Sequence, residues 1–252
     1  MNRELRDLLL NSRRLVVLTG AGVSTLSGIR DFRGRNGVYN EPWHGYQVEE
    51  ILSIDCFDRD PALFYEWAKE FVYRLEDFEP SAAHLALARL ERAGILKSLY
   101  TQNIDLLHTK AGSRRVFELH GSPANHRCRR CGATRSYGEV APLVRAGEVP
   151  RCPCGGVFKP DIVFYGENLD GTLLERGWEE FRNADAALVM GSSLTVHPAA
   201  GLPEQTARAG GKLVIVNDRP TPLDRCAALH FDDLAEFAAL TEEILDSAAE
   251  ES

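Results

Sequence analysis

A chain of 252 residues, 44% hydrophobic and 26% charged, fits a folded protein of one large domain with a small insert. Its formal charge of -8 argues against nucleic acid as the main partner, because that binding is driven by neutralising phosphates. No apolar run reaches the length of a bilayer span, and the opening MNRELRDLLLNSRR, three leucines ringed by charge, is no secretory leader, so no membrane partner and a cytoplasmic setting are expected.

The first apolar run, LVVLT, hands over to GAGVSTLSGIRDFRG at residues 20–34, where Gly20 and Gly22 stand between a strand and a helix as in a dinucleotide-binding loop. That fingerprint puts a third glycine where this chain has Thr25. The stretch then runs through Gly28 and sets Arg30, Asp31, Phe32 and Arg33 beside the suspected phosphate site. An aromatic-rich segment, residues 35–80, is expected to be helical. PSAAHLALARLERAG reads as a helix with proline at its start and Gly94 past its last turn.

Further β-prone runs follow as LKSLYT, RVFEL, AALVM and KLVIV, separated by helical patterns. This α/β rhythm predicts a doubly wound, Rossmann-like parallel sheet, in which ligands bind beyond the carboxyl ends of the strands. Polar clusters fall at those ends: Gln102, Asn103, Ile104 and Asp105; His120; Gly191, Ser192 and Ser193; Asn217. His120 stands directly at a strand end with glycine after it, and its ordinary pKa range suits a general base. His84, His108 and His197 lie in or beside helical patterns and read as structural. Asn103 and Asp105 could together read a carboxamide such as nicotinamide, or else cap the LLHTKAG segment.

Residues 124–160 break the rhythm and hold seven Lys or Arg against two acids. Cys128 and Cys131 form C-x-x-C, and Cys152 and Cys154 follow as C-x-C, the pattern of a closed, structural four-cysteine zinc site. A disulfide framework does not suit a reducing cytosol, and a redox C-x-x-C would not need the second pair. Cys56 and Cys226 are isolated and read as small buried hydrophobes. The expected division is a nucleotide-binding domain at 1–34, 81–123 and 161–252, a helical insert at 35–80 and a zinc module at 124–160. The DSAAEES tail is expected to fray.

GAGVSTLSGIRDFRG, TQNID, ELHGS, the four cysteines, KPDIVFYGE, MGSSLTVHPAA and IVND, in this order and across nearly the whole chain, resemble the sirtuins, NAD-dependent protein lysine deacylases, of bacterial type. The C-x-C pair departs from the family's commoner C-x-x-C. The resemblance implies that NAD is consumed: the acyl-lysine oxygen attacks C1' of the nicotinamide ribose, nicotinamide leaves, and the acyl group ends on ADP-ribose.

By resemblance, Gly20, Ala21, Gly22 and Thr25 would approach the phosphates or ribose, and Asp31 and Arg33 would help to hold the cofactor. Phe32 would shield the reacting ribose. Gln102 would contact that ribose, Asn103, Ile104 and Asp105 would form the nicotinamide pocket, with Asn103 also taking part in catalysis, and His120 would be the general base. Gly191, Ser192, Ser193, Asn217 and Asp233 would hold the phosphates and the adenosine half. Val163, Phe164 and Tyr165 would pair by backbone with an acyl-lysine protein substrate lying as an extra strand.

Sirtuins that remove succinyl or malonyl groups carry Tyr-x-x-Arg on the helix after the cofactor loop. Ala68 and Phe71 stand at those places, so neutral acyl groups are expected to be preferred. A mono-ADP-ribosyltransferase would share the NAD pocket and is the rival activity. A plain dehydrogenase would need an acid at the end of a second strand, whereas Glu41 lies in YNEPWHG, which is no strand. A zinc-ribbon nucleic-acid binder would explain the basic module alone.

Overall fold

The computed structural model describes residues 2–32 and 37–251. Its strands are β1 (Leu15–Thr19), β2 (Leu96–Thr101), β3 (Val116–Glu118), β4 (Gly121–Cys128), β5 (Thr134–Ser136), β6 (Phe158–Ile162), β7 (Ala186–Met190), β8 (Lys212–Val216) and β9 (Ala227–Phe231). Its helices are α1 (Arg3–Asn11), α2 (Gly22–Thr25), α3 (Val48–Ile51), α4 (Ile54–Arg59), α5 (Pro61–Phe71), α6 (Ala82–Arg92), α7 (Leu107–Lys110), α8 (Tyr137–Arg145), α9 (Gly171–Arg182), α10 (Leu202–Arg208) and α11 (Leu234–Glu250). None of the described helices is long and apolar enough to cross a membrane.

The expected doubly wound sheet is present, ordered β3-β2-β1-β7-β8-β9 with every pairing parallel. The chain steps outward from β1 to β3 and then returns to place β7 against β1, so the strand order reverses at β1 and β7, the place where sheets of this kind bind ligands beyond the strand ends. Central strands buried on both faces must be apolar throughout, which is why LVVLT, AALVM and LVIV carry no alternation. Leu15, Val17, Leu188 and Val214 face a layer made by α1, α6 and α11. Val16, Leu18, Val189 and Ile215 face α9 and α10 across the other side. The edge strand β9 escapes a reading by periodicity because its AALHF alternates half-buried and exposed positions without a continuous apolar run.

β4, β5 and β6 form a separate antiparallel sheet, ordered β5-β4-β6. Residues 41–47 of the aromatic-rich segment form a turn closed by a bridge between Trp43 and Tyr46, while the segment is helical in α3, α4 and α5. Phe57, Phe64, Tyr65 and Trp67 pack there with Val140 and Val144 of α8 and with Ile162 and Phe164. β4 begins at Gly121, one residue after His120, and leaves the large sheet at once. Gly121 has φ 73°, and a Cβ there would lie 2.1 Å from the Asp161 carbonyl oxygen. A side chain at that turn would force β4 away from β6, its neighbour in the small sheet.

Three histidines are buried. His84 Nδ1 accepts from the Ser81 amide at 3.1 Å and caps α6, His108 Nε2 meets Thr19 Oγ1 at 2.8 Å, and His126 Nε2 meets the Tyr73 hydroxyl at 2.7 Å. Burial pulls His84 down, with Asp105 opposing it, pulls His108 well down, and pulls His126 to about 4 from an ordinary 6.5. All three are therefore neutral in the fold, while the unfolded chain takes up their protons first as pH falls through 6.5. Their contribution is complete above that pH and is lost below it, at up to about 4 kcal/mol per pH unit for three groups together. Urea midpoints measured from about pH 7.5 down to about pH 5.5 should fall steeply below the histidine range; a flat profile would show that these rings titrate freely.

Candidate active site and zinc centre

A cavity of about 330 Å³ opens at the carboxyl ends of the central strands, between the large sheet and the small part. Gly20, Ala21, Gly22, Asp31, Phe32, Gln102, Asn103, Ile104, His120, Val163, Phe164, Tyr165, Gly191, Ser192, Ser193 and Asn217 all line it. Residues from six separate segments thus meet, five of them at the strand ends of the large sheet where the polar clusters fell. Arg33 lies outside the described residues.

The two glycines of the first loop serve the protein's own packing. Gly20 donates to the Met190 carbonyl at 3.0 Å and Gly22 to the Gly191 carbonyl at 2.9 Å. A Cβ on Gly20 would lie 2.7 Å from Gly191 O, and one on Gly22 2.6 Å from Gly191 Cα. Gly191 itself has φ 62°, and its Cβ would lie 2.5 Å from the Val23 nitrogen. The loops after β1 and β7 therefore lock backbone to backbone, which brings both up to one cavity wall.

His120 Nδ1 lies 2.9 Å from the Gln102 carbonyl oxygen. A carbonyl can only accept, so Nδ1 carries the proton and Nε2 of the neutral ring is the basic nitrogen. Gln102 in turn donates from Nε2 to Ser192 Oγ at 2.8 Å and from its amide to the Thr19 carbonyl at 3.0 Å, so the base rests on a fixed strut. Asn103 spends its amide hydrogens on Gly20 O and Ser24 Oγ, each at 3.1 Å, which leaves its Oδ1 as the group it can offer a ligand.

Asp105 sits behind this layer. Its Oδ2 accepts from Ser24 Oγ at 2.6 Å and its Oδ1 from the Leu107 amide at 2.9 Å, so the capping alternative describes its present bonds. It is buried but does not line the cavity. Thr25 is exposed, donates to the Gly22 carbonyl at 2.8 Å, and is also absent from the lining. Asp233 is exposed, does not line the cavity and caps α11, accepting from Ala235 at 2.7 Å and Glu236 at 3.0 Å. Asp218 and Arg219, next to Asn217 after β8, line the cavity instead. Polar residues directly following a strand end were the available signal for them. Tyr39 and His197 also line it.

Val163, Phe164 and Tyr165 form a wall, but their amides are already used. Val163 donates to the His120 carbonyl at 2.8 Å, Phe164 to the Glu167 carboxylate at 2.9 Å and Tyr165 to the Leu52 carbonyl at 2.9 Å. On α5, Ala68 is fully buried and Phe71 stacks on Trp67 at 5.1 Å, so neither residue faces the cavity.

The four cysteine sulfurs lie within 4.8 Å of one another. Cys128 and Cys154 are 3.5 Å apart, and Cys131 and Cys152 are 3.6 Å apart. Zinc bound tetrahedrally by thiolates at ~2.3 Å sets sulfurs ~3.8 Å apart, so the cluster fits one ion and leaves no open position. Amides of Cys131 and Arg130 turned toward Cys128 draw its thiol down, while neighbouring thiols push those of Cys131 and Cys152 up, so one thiolate forms readily and the others would be ionised by the metal itself. The tight C-x-C pair is made possible by Gly156, where a Cβ would lie 2.6 Å from Cys128 Sγ. Around the sulfurs, Cys128, Cys152 and Phe158 are the buried hydrophobic residues, too few to hold a fold unaided. The basic charge of this module is largely internal: Arg129 pairs with Asp58 at 2.7 Å, Arg127 with Asp161 at 3.2 Å, Arg135 with Glu139 at 3.1 Å, and Arg145 with Glu76.

Residues 20–198 match the model of the Sir2 family. The chain is 44% identical over 238 residues to the NAD-dependent protein deacetylase of Thermotoga maritima, covering 94% of this chain and 95% of that protein. It is 46% identical over 224 residues to the NAD-dependent protein deacylase 2 of Archaeoglobus fulgidus, covering 88% and 87%. A solved structure of Sir2 with a deacetylated p53 peptide and 3'-O-acetyl ADP-ribose is similar at a TM-score of 0.89, with 43% identity and coverage of 96% of this chain and 97% of that one. With a switch-point cavity and a closed four-cysteine cluster on the same frame, the chain belongs to the Sir2 family.

Proposed function

We propose that this protein removes neutral acyl groups from lysine side chains of proteins at the expense of NAD. One observation carries the reading: His120, with its basic nitrogen fixed by the Gln102 carbonyl, lies in one cavity with the interlocked glycine loops and the 163–165 wall. When bound, NAD supplies a cleavable bond between its ribose and nicotinamide, and the ribose then accepts the acyl group. Gly20, Ala21, Gly22, Gly191, Ser192, Ser193 and Asn217 would hold the phosphates and adenosine half. Asn103 and Ile104 would flank the nicotinamide, with Asp105 acting from behind through Ser24. His120 Nε2 would take the proton from a ribose hydroxyl, and Phe32, packed on Tyr39 at 5.2 Å, would exclude water.

The substrate peptide would lie along the 163–167 segment. The Gly166 peptide groups have no hydrogen-bond partner among the described residues and would supply its edge. The division into a nucleotide-binding part at 1–34, 81–123 and 161–252 and small-part segments at 35–80 and 124–160 suits this cleft. A cytoplasmic setting would keep the four zinc ligands reduced.

Incubating an acetyl-lysine peptide with the protein, with and without NAD, and weighing the products tests the proposal. Loss of acetyl only with NAD, together with acetyl-ADP-ribose, is expected. ADP-ribose mass added to protein instead would establish the ribosyltransferase.

Acyl preference follows from the wall. Along Phe32, Tyr39, Leu52, Ile162, Val163, Phe164 and Tyr165 the described charged residues are Asp31 and Glu167, both acidic, while the cavity's described arginine, Arg219, stands with Asp218 after β8. A succinyl carboxylate there would lack a charge-assisted partner, and kcat/KM for succinyl-lysine should be at least ~10-fold below that for acetyl-lysine. Faster removal of succinyl would sink this expectation.

A further inference from the structure

Lysine is seldom buried without partners, yet Lys159 on β6 is only 6% exposed. Its ammonium donates to the Ile162 carbonyl at 2.8 Å and the Pro160 carbonyl at 3.2 Å, and it pairs with Glu167 Oε2 at 2.8 Å. Three hydrogens thus meet three acceptors. The same ammonium lies 4.0 Å from the centroid of the Phe164 ring, and the same Glu167 oxygen accepts from the Phe164 amide at 2.9 Å. One buried charge therefore ties together residues 160–167, the segment whose next link, from the Val163 amide, is to the carbonyl of His120.

We propose that Lys159 is a positioning residue for the acyl-lysine peptide: acting through Glu167 and the Phe164 ring, it presets the 163–167 wall against which that peptide binds. Lys159 does not itself line the cavity. The proposal rests on the deacylase reading. Its physical basis is preorganisation, since a wall that must be ordered on binding weakens affinity even where no contact is lost. With an apolar side chain at 159, Glu167 is released to water and frees the Phe164 amide and ring. The loss falls on peptide binding, while the bonds orienting His120 from Gln102 remain.

The test compares Lys159→Met, Glu167→Gln and the double variant, with folding checked by circular dichroism and melting. Peptide KM should rise about tenfold in Lys159→Met, with kcat at saturating peptide and NAD affinity changed less than about threefold. Because the two residues act as one unit, the double variant should be no worse than about tenfold, not the product of the single effects. An unchanged KM in a folded Lys159→Met protein overturns the proposal, and so do multiplicative effects. Should Lys159→Met fail to fold, Lys159→Gln, which keeps a polar end for the Pro160 and Ile162 carbonyls but loses the charge that holds Glu167, carries the test through the same split between KM and kcat. A wild-type protein without turnover would overturn the deacylase reading, and the wall would then be judged by anisotropy of a labelled acetyl-lysine peptide, where equal affinity in wild type and variant overturns it.

Discussion

Replacing His120 with alanine is expected to lower deacylation by roughly 10²–10⁴-fold, the usual worth of a positioned general base, while NAD affinity stays within about threefold. The reason is geometric. Nδ1 is occupied by the Gln102 carbonyl at 2.9 Å, so the neutral ring has one basic nitrogen, Nε2. Gly121 after it lets the chain turn sharply into β4, so truncating the imidazole leaves the backbone path intact. Initial rates with acetyl-lysine peptide, set beside calorimetric titration with NAD, separate the two effects. Residual activity within tenfold of wild type would remove His120 from the base role; loss of NAD binding together with activity would point to a collapsed cavity.

Stripping the metal should be as damaging through the fold as the histidine change is through chemistry. Structural zinc held by such ligands contributes an apparent ~10–16 kcal/mol at neutral pH, as much as the whole stability of an ordinary domain, ~5–15 kcal/mol. Next to the sulfurs there is little else, since the buried hydrophobic cluster there is Cys128, Cys152 and Phe158, while α8 packs Val140 and Val144 on the helical part instead. The module is also joined directly to the site: β4 starts next to His120, and β6 runs into Val163–Tyr165. Chelation, or Cys128→Ser, is therefore expected to raise hydrogen exchange across residues 121–162 and abolish turnover, while strands β1, β7 and β8 stay protected. One zinc per chain by elemental analysis is the companion expectation. Full activity and unaltered exchange in metal-free protein would show that the four cysteines do not hold the module.

Much of the site was legible because its signals are short-range. An apolar run followed by a small or polar cluster marks a buried strand and its end, and Gln102, Asn103, His120, Ser192 and Asn217 carried that mark and line one cavity. Asp233 shows how little a local pattern says here: an acid before a helix looks the same whether it caps the helix or faces a ligand, and only the structure shows the two amides that its Oδ1 accepts from. Asp105 was left open for the same reason, and bonds to Ser24 and Leu107 account for both of its oxygens. Lys159 carried no signal at all, because a lysine in a strand is ordinarily exposed and its partner Glu167 lies beyond the strand.

The sequence by itself determined which segments are central strands, where their ends lie, and that two close pairs of cysteines can share a metal, since each depends on spacing along the chain. Tertiary structure alone decided that Gly20 and Gly22 are required by Gly191, that Gln102 selects the tautomer of His120, and that α5 turns Ala68 and Phe71 into its own core. These outcomes depend on atoms far apart in the chain coming within contact distance, and such contacts are set by how whole layers pack and not by any local pattern of residues.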